Sequence, residues 1–358
     1  MLANDYRPSL FKDVIGQDSI TSTIMKSILQ LKVPSAFLFA GPSGTGKTTV
    51  ARILAKAINC EDLQEGEPCN KCDICKSISN GTSFNVTEID AASNNSVDDI
   101  RALVDQIRYS PQIGKYRIII LDEVHRLSVA AFNSLLKTLE EPPAHVKFVL
   151  CTTEMHQVID TIVSRCQIHK FRRVTNKEIT TRLATITKAE GIEIDTNSLQ
   201  LIAEISKGSV RDAISSLQKL NAYSGERIDY GQVLSILNIF DKNDHFRMMK
   251  AIKTNDVNEI IMIIKGVHET GYDYLQYLTS LVSHCRNLLI CTGSKPMLSL
   301  LEVDDSVRMQ YEQTGKLYNE KELLLIITKL QECMFQFDRA VNQRLHVEIA
   351  LLGLLKSV

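Results

Sequence analysis

The sequence predicts an α/β fold built on a parallel sheet in its N-terminal part, followed by purely helical segments. Three observations predict it. Short β-rich runs alternate with helical patterns as far as about residue 174, and such alternation favours a parallel sheet covered on both faces. Beyond that point the strand signal fades, and apolar residues recur at helical spacing. Seven of the eight prolines lie at or before Pro143 and the last is Pro296, so chain breaks concentrate in the N-terminal part.

The runs read as strands are 36–40 (AFLFA), 84–89 (FNVTEI), 117–121 (RIIIL), 146–151 (VKFVLC) and 167–171 (QIHKF). A helix is expected over 48–58. Over 97–107, Val97, Ile100, Leu103, Val104 and Ile107 keep helical spacing behind the caps Asn95 and Ser96. Over 129–139, Val129, Phe132, Leu135, Leu136 and Leu139 do the same, with Ser128 as cap and Pro142–Pro143 as the stop. Segments 176–190, 196–206 and 209–222 read as short helices separated by Gly191 and Gly208. From about 241 onward the pattern is almost wholly helical, with strong stripes over 321–337 and 345–355. No internal repeat or low-complexity linker interrupts it. The expected domains are an α/β domain at 1–174, a small helical domain at 175–240 and a larger helical domain at 241–358.

The 358 residues suggest two to three domains, at roughly 150 residues each. With 44% hydrophobic and 23% charged residues, the chain is not a disordered polymer, a collagen-like fibre or a disulfide-dense miniprotein. Lysine plus arginine number 41 against 42 acidic residues, a formal charge of −1. Nucleic acid would therefore have to be met through local patches or within an assembly. MLANDYRPSLFKD has no apolar core suited to a secretory signal, and no apolar run is long enough to span a bilayer. A cytoplasmic protein with no membrane partner is expected.

Residues 41–48 read GPSGTGKT, a full G-x-x-x-x-G-K-[ST] motif between an expected strand and an expected helix. Gly41, Gly44 and Gly46 let backbone N–H groups converge on phosphate oxygens. Lys47 would reach the β/γ-phosphates at a helix N-terminus. Thr48 would offer its hydroxyl to Mg²⁺. Pro42, Ser43, Thr45 and Thr49 complete the expected nucleotide contacts. In IIILDEVH, 118–125, a hydrophobic strand delivers Asp122 and Glu123 to its C-terminal end, the edge at which open α/β sheets bind ligands. Asp122 is the expected second Mg²⁺ partner, and Glu123 the general base for the attacking water.

Four of the nine cysteines crowd together as Cys60, Cys69, Cys72 and Cys75, with spacing C-x8-C-x2-C-x2-C. Four thiolates suffice for a structural Zn²⁺ site with no open position; an iron–sulfur cluster or free thiols are the alternatives. The intervening polar residues, with Gly66 and Pro68, read as a loop in need of a cross-link.

GPSGTGKTTVARILAKAINC, the cysteine loop, EIDAASNNSVDDIR, LDEVHRLSVAAFNSLLKTLEEPPAHVKFVLCTTE and TIVSRCQ together resemble the gamma/tau subunits of bacterial DNA polymerase III clamp loaders, which are AAA+ ATPases. The resemblance runs from Tyr6 to about Leu220 and continues more weakly to NQRLHVEIALLGL. It implies an AAA+ P-loop domain with a zinc-binding loop, a helical lid and an all-helical collar. It implies that Thr153 is a sensor of the γ-phosphate or its water. Arg165 corresponds to an arginine finger acting in trans on a neighbour's nucleotide, and Arg211 to a lid sensor. Tyr6, Arg7, Val14 and Ile15 correspond to the segment around adenine and ribose. Two departures stand out. HRLS replaces the more usual HMLS, adding Arg126, and a gamma-like extent is expected, without the tau extension that grips polymerase and helicase.

The expected function is that of an ATP-hydrolysing motor subunit of a sliding-clamp loader. Its expected partners are other loader subunits in a ring-like assembly, the sliding clamp and primer–template DNA; no polymerase active site is present. A nonhydrolysing structural subunit of such a ring, an AAA+ helicase loader or a branch-migration ATPase are the competing readings. The intact GPSGTGKT with Asp122 and Glu123 argues against the first, and the cysteine loop with SRC against the other two.

Overall fold

A computed structural model describes residues 2–107, 109–111, 113–223, 227–292, 301 and 305–355. Parts of the expected C-terminal helical run, 293–300, 302–304 and 356–358, lie outside the described residues. The N-terminal elements are α1 (Leu2–Asp5), α2 (Asp18–Leu29), β1 (Ala36–Ala40), α3 (Lys47–Asn59), α4 (Asp73–Ser79) and β2 (Val86–Asp90). They continue with α5 (Val97–Gln106), β3 (Arg117–Asp122), α6 (Val129–Glu140), β4 (Val146–Thr152), α7 (Asp160–Val163) and β5 (Gln167–Lys170). The strands form one parallel sheet in the order β2-β3-β4-β1-β5. β1 is central: Ala40 lies opposite Thr152 of β4 and Lys170 of β5.

Successive strand residues face opposite sides, and both sides are covered. Phe37, Phe39, Ile118, Ile120 and Val149 pack with Ile24 of α2 and Val50 and Leu54 of α3. Leu38, Ile119, Leu121, Phe148 and Leu150 pack with Ile100 and Leu103 of α5 and Phe132 and Leu135 of α6. Two buried faces explain why these strands read as continuous apolar runs rather than alternating ones. Each such side chain, fully buried, contributes about 1.5–3 kcal/mol.

Local signals set the helix starts. Ser96 and Asp99 form a capping box on α5, and Ser128 Oγ accepts the Ala131 N–H at the start of α6. The reading of 60–75 as loop throughout needs correction: α4 begins at Asp73 and takes in Cys75. Its cap is unusual, because the Cys72 sulfur accepts the Cys75 N–H at 3.4 Å.

Three helices follow the sheet: α8 (Asn176–Glu190), α9 (Thr196–Ile205) and α10 (Val210–Tyr223). Gly191, at φ +68°, ends the first of them. A two-residue parallel pairing, β6 (Glu193–Ile194) with β7 (Arg227–Ile228), was not expected. The chain divides into two compact units, residues 1–228 and 229–358. The β6–β7 pairing draws 227–228 into the first.

The second unit contains α11 (Tyr230–Leu237), α12 (Lys242–Thr254), α13 (Val257–Glu269), α14 (Tyr274–Cys291), α15 (Asp305–Gly315), α16 (Glu320–Gln336) and α17 (Gln343–Leu354). Ile260, Ile264, Tyr277, Leu281, Leu288, Ile326, Leu330 and Leu351 are among the residues of its core. Among the described residues, no helix is long and apolar enough to cross a membrane.

Candidate functional site

The motif at 41–48 leaves β1 at the C-terminal edge of the sheet and runs into α3. Two glycines are fixed by close approach. A Cβ on Gly41 (φ +152°) would fall 2.4 Å from the Phe171 carbonyl oxygen, and one on Gly44 (φ +69°) 1.8 Å from Ser209 Oγ. Lys47 is only 6% exposed. Its ammonium curls over the loop, donating to the carbonyls of Gly41 (2.8 Å) and Pro42 (2.9 Å). Burial lowers its pKa, and the nearby Glu123 and Asp122 act in the opposite direction.

Strand β3 brings the acidic pair alongside, and β4 delivers Thr152 and Thr153 next to it. Thr48 Oγ1 donates to Asp122 Oδ2 at 2.9 Å, so hydroxyl and carboxylate already share one point in space. Glu123 adopts a left-handed backbone, φ +49° and ψ +45°, a conformation that costs a bulky residue energy and is concentrated at functional sites. Its N–H donates to Asp122 Oδ1 at 3.0 Å. Thr153 Oγ1 donates to Glu123 Oε2 at 2.9 Å. The buried His125 places Nδ1 3.0 Å from Thr152 Oγ1 and 3.4 Å from the same Glu123 oxygen.

One cleft gathers most of the expected nucleotide residues: Tyr6, Arg7, Val14, Ile15, Ser43 through Thr49, Asp122, Glu123 and Arg211. Burial lowers the pKa of Arg7, and the neighbouring Arg52 and Arg211 add to the effect. Four cationic side chains, Arg7, Lys47, Arg182 and Arg211, thus converge on one cleft, a setting suited to a polyanion. Gly41 and Pro42 do not line it; their carbonyls hold Lys47 from behind. Thr153 acts on the cleft only through Glu123. Arg165 lies elsewhere, donating to Thr161 O (2.7 Å) and to Glu140 Oε1 (2.5 Å).

Several cleft residues escaped the sequence reading. Arg182 of α8 donates to Tyr6 O at 2.8 Å and lines the cleft with Asp13, Val210 and Ile214. Val210 donates its N–H to Gly44 O at 3.1 Å, docking the start of α10 on the loop. A lone arginine mid-helix carries no sequence signal of its own. His125, behind the cleft in the short turn after β3, carried no such signal either.

The four clustered cysteines converge as their spacing suggested. The Sγ atoms of Cys60, Cys69, Cys72 and Cys75 all lie within 4.8 Å of one another, and none is in a disulfide. Tetrahedral Zn–S bonds of about 2.3 Å place sulfurs roughly 3.8 Å apart, so the set fits such an ion. Backbone N–H groups already point at the sulfurs: Cys69 to Cys60, Lys71 and Cys72 to Cys69, and Cys75 to Cys72, at 3.3–3.4 Å. The two donors onto Cys69 bring its pKa down to about 6, whereas burial pushes the Cys75 and Cys60 thiols up.

Residues 16–175 match the family described as DNA polymerase III, delta subunit, residues 178–221 the DNA polymerase III clamp loader subunit, ATPase lid domain, and residues 228–358 the DNA polymerase III subunits gamma and tau domain III. DNA polymerase III subunit gamma of Buchnera aphidicola subsp. Baizongia pistaciae is 33% identical, over 98% of this chain and 95% of that protein. The chain belongs to the DNA polymerase III gamma/tau family. Bacillus subtilis DNA polymerase III subunit tau is 40% identical over 86% of this chain and 55% of its own length. For the Mycoplasma genitalium gamma/tau subunit the figures are 40%, 79% and 48%. This gamma/tau-family chain therefore spans about half the length of those two relatives. Among solved structures, the Thermotoga maritima RuvB Holliday junction branch migration motor superposes with a TM-score of 0.50 at 19% identity, covering 75% of this chain and 86% of that one. That likeness concerns the fold alone, a parallel sheet with its helices.

Proposed function

We propose that this chain is an ATP-hydrolysing motor subunit of a DNA sliding-clamp loader. The observation that carries the proposal is the continuous chain Thr48–Asp122–Glu123–Thr153 beside the loop at 41–48. It offers a hydroxyl and a carboxylate at one point, and a second carboxylate held by a threonine next to it. A passive nucleotide holder has no need of Glu123 in a left-handed backbone conformation.

In this reading Ser43 through Thr49 bind the phosphates, Gly41 and Pro42 shape the loop behind them, and Lys47 leaves their carbonyls to meet the phosphates. Thr48 and Asp122 would hold Mg²⁺, which neutralises phosphate charge. Glu123 takes the proton of the attacking water, and Thr153 fixes the rotamer of that carboxylate. Arg211, at the start of α10, reports the γ-phosphate to the lid helices. Arg165 serves the nucleotide of a neighbouring subunit, which accounts for its place outside its own cleft. Tyr6, Arg7, Val14 and Ile15 hold the base and ribose. Cys60, Cys69, Cys72 and Cys75 would hold Zn²⁺ as a structural cross-link. We assign 1–174 to the ATPase domain, 175–240 to the lid and 241–358 to the collar. The partners are other loader subunits in a ring, the sliding clamp and primer–template DNA held through its phosphates, in the cytoplasm.

The test is ATP hydrolysis by the reconstituted loader, with clamp and primed DNA supplied separately and together. Synergy between clamp and DNA, lost in Glu123→Gln, is the expected result. Turnover indifferent to both would refute the proposal.

A further inference from the structure

The stretch between Cys60 and Cys72 grips another part of the chain. Gln64 and Glu67 exchange backbone hydrogen bonds (3.1 and 2.8 Å) around Glu65 and Gly66, which stand at φ +52° and +87°. Two successive left-handed residues make a tight hairpin turn of the I′ kind. A Cβ on Gly66 would come within 3.3 Å of Met25 Cβ, so the turn is pressed against α2. It aims Glu67 back at the N-terminal segment. Glu67 Oε2 accepts the Phe11 N–H at 2.7 Å, and Oε1 accepts the Lys12 N–H at 2.8 Å. These N–H groups open a single helical turn, Phe11–Asp13, and have no partner within it. Asn70 Nδ2 reaches Ser9 O at 3.3 Å, and Lys56 Nζ bridges Ser9 O (3.0 Å) and Asn70 Oδ1 (2.6 Å).

Residues 9–12 are thus held by the cysteine-bearing knuckle, and they join two stretches of cleft wall. Tyr6, Arg7 and Pro8 line the cleft before them, and Asp13, Val14 and Ile15 after them. Phe11, fully buried in the core, anchors the middle.

We propose that Glu67, assisted by Asn70, is a positioning residue for the base and ribose of the bound nucleotide: the knuckle sets that wall of the cleft. The inference rests on the nucleotide reading above. A carboxylate suits the task because its two oxygens meet two adjacent N–H groups in charge-assisted hydrogen bonds. Glu67→Gln keeps the shape but turns an amide N–H toward one of them.

The test uses the full chain carrying Glu67→Gln and, separately, Asn70→Gly, which tolerates the backbone at φ +56°. Calorimetry compares ATP with inorganic triphosphate, hydrogen exchange follows the Phe11 and Lys12 amides, and metal content is checked throughout. ATP should bind about tenfold more weakly, the loss of roughly one charged hydrogen bond. Inorganic triphosphate should bind unchanged, the two amides should exchange faster, and metal content should hold. Unchanged ATP affinity, or equal losses for ATP and triphosphate, would overturn the proposal. Failure of the unsubstituted chain to bind ATP would instead refute the nucleotide reading beneath it.

Discussion

Substituting Gly44 by alanine tests whether the phosphate loop and helix α10 are mechanically one piece. Gly44 has φ +69°, and an added Cβ would lie 1.8 Å from Ser209 Oγ and 2.9 Å from its Cβ. Left-handed backbone costs an alanine roughly 1–2 kcal/mol. Overpacking against Ser209 adds about 1–3 kcal/mol, so Gly44→Ala should destabilise the first unit by about 2–5 kcal/mol. Ser209→Gly removes the obstacle at small cost. The Ser209 hydroxyl accepts the Asp212 N–H at 3.3 Å, and replacing such a cap by glycine costs only a few tenths of a kcal/mol. The double variant should keep the backbone penalty and lose the clash, an interaction energy of about 1–3 kcal/mol in its favour. The assay is urea unfolding of all four chains without nucleotide, read on the transition that ATP shifts upward in the parent. Additivity of the two single effects within about 0.5 kcal/mol would refute the close approach of Gly44 and Ser209.

Other outcomes follow from the same geometry. Glu123→Gln should leave ATP binding intact while turnover in the assembled loader falls about 10²–10⁴-fold. Thr153→Ala should fall less, because it only loosens the carboxylate; single-turnover assays separate the two. The Arg172 guanidinium, helped by the N–H and hydroxyl of Thr175, holds the Glu178 carboxyl down at about 2, against an ordinary 4.5. A depressed pKa contributes stability above the ordinary value and loses it as pH falls through the folded one. Glu178→Gln should therefore be less stable than the parent at neutral pH, with the gap closing toward pH 2 in denaturant titrations. Purified chain should carry one zinc ion, and Cys72→Ser should lose it; Co²⁺ loaded in its place should show a thiolate charge-transfer band that the variant lacks.

The central sheet was legible because strands buried on both faces announce themselves as apolar runs. AFLFA coincides with β1, and IIIL and VKFVLC fall inside β3 and β4. α2 was overlooked although Ile20, Ile24 and Ile28 recur every fourth residue, since serines and threonines dilute the stripe between them. α4 hid because its cap is a cysteine sulfur rather than a hydroxyl or carboxylate. The pairing of Glu193–Ile194 with Arg227–Ile228 is two residues long, too short for any periodicity. Within the cleft, motif residues could be read from spacing. Arg182 could not, nor could Glu67 behind the cleft wall, because Arg182 acts on one backbone carbonyl and Glu67 on two backbone N–H groups, all distant in sequence.

The strand order has a consequence for a chain emerging from the ribosome. Ala40, which launches the phosphate loop, is flanked by Thr152 on one side and Lys170 on the other. The loop thus leaves a strand whose two neighbours are made last among the five. About 120 residues must be translated after Lys47 before that strand is enclosed, roughly 6–25 s at about 5–20 residues per second. Until then the glycine-rich segment has no Phe171 to rest on and no Thr152 carbonyl for the Gly41 N–H. Nascent chains released short of β5 should be unable to retain nucleotide, so completion of the sheet is a prerequisite for ligand retention.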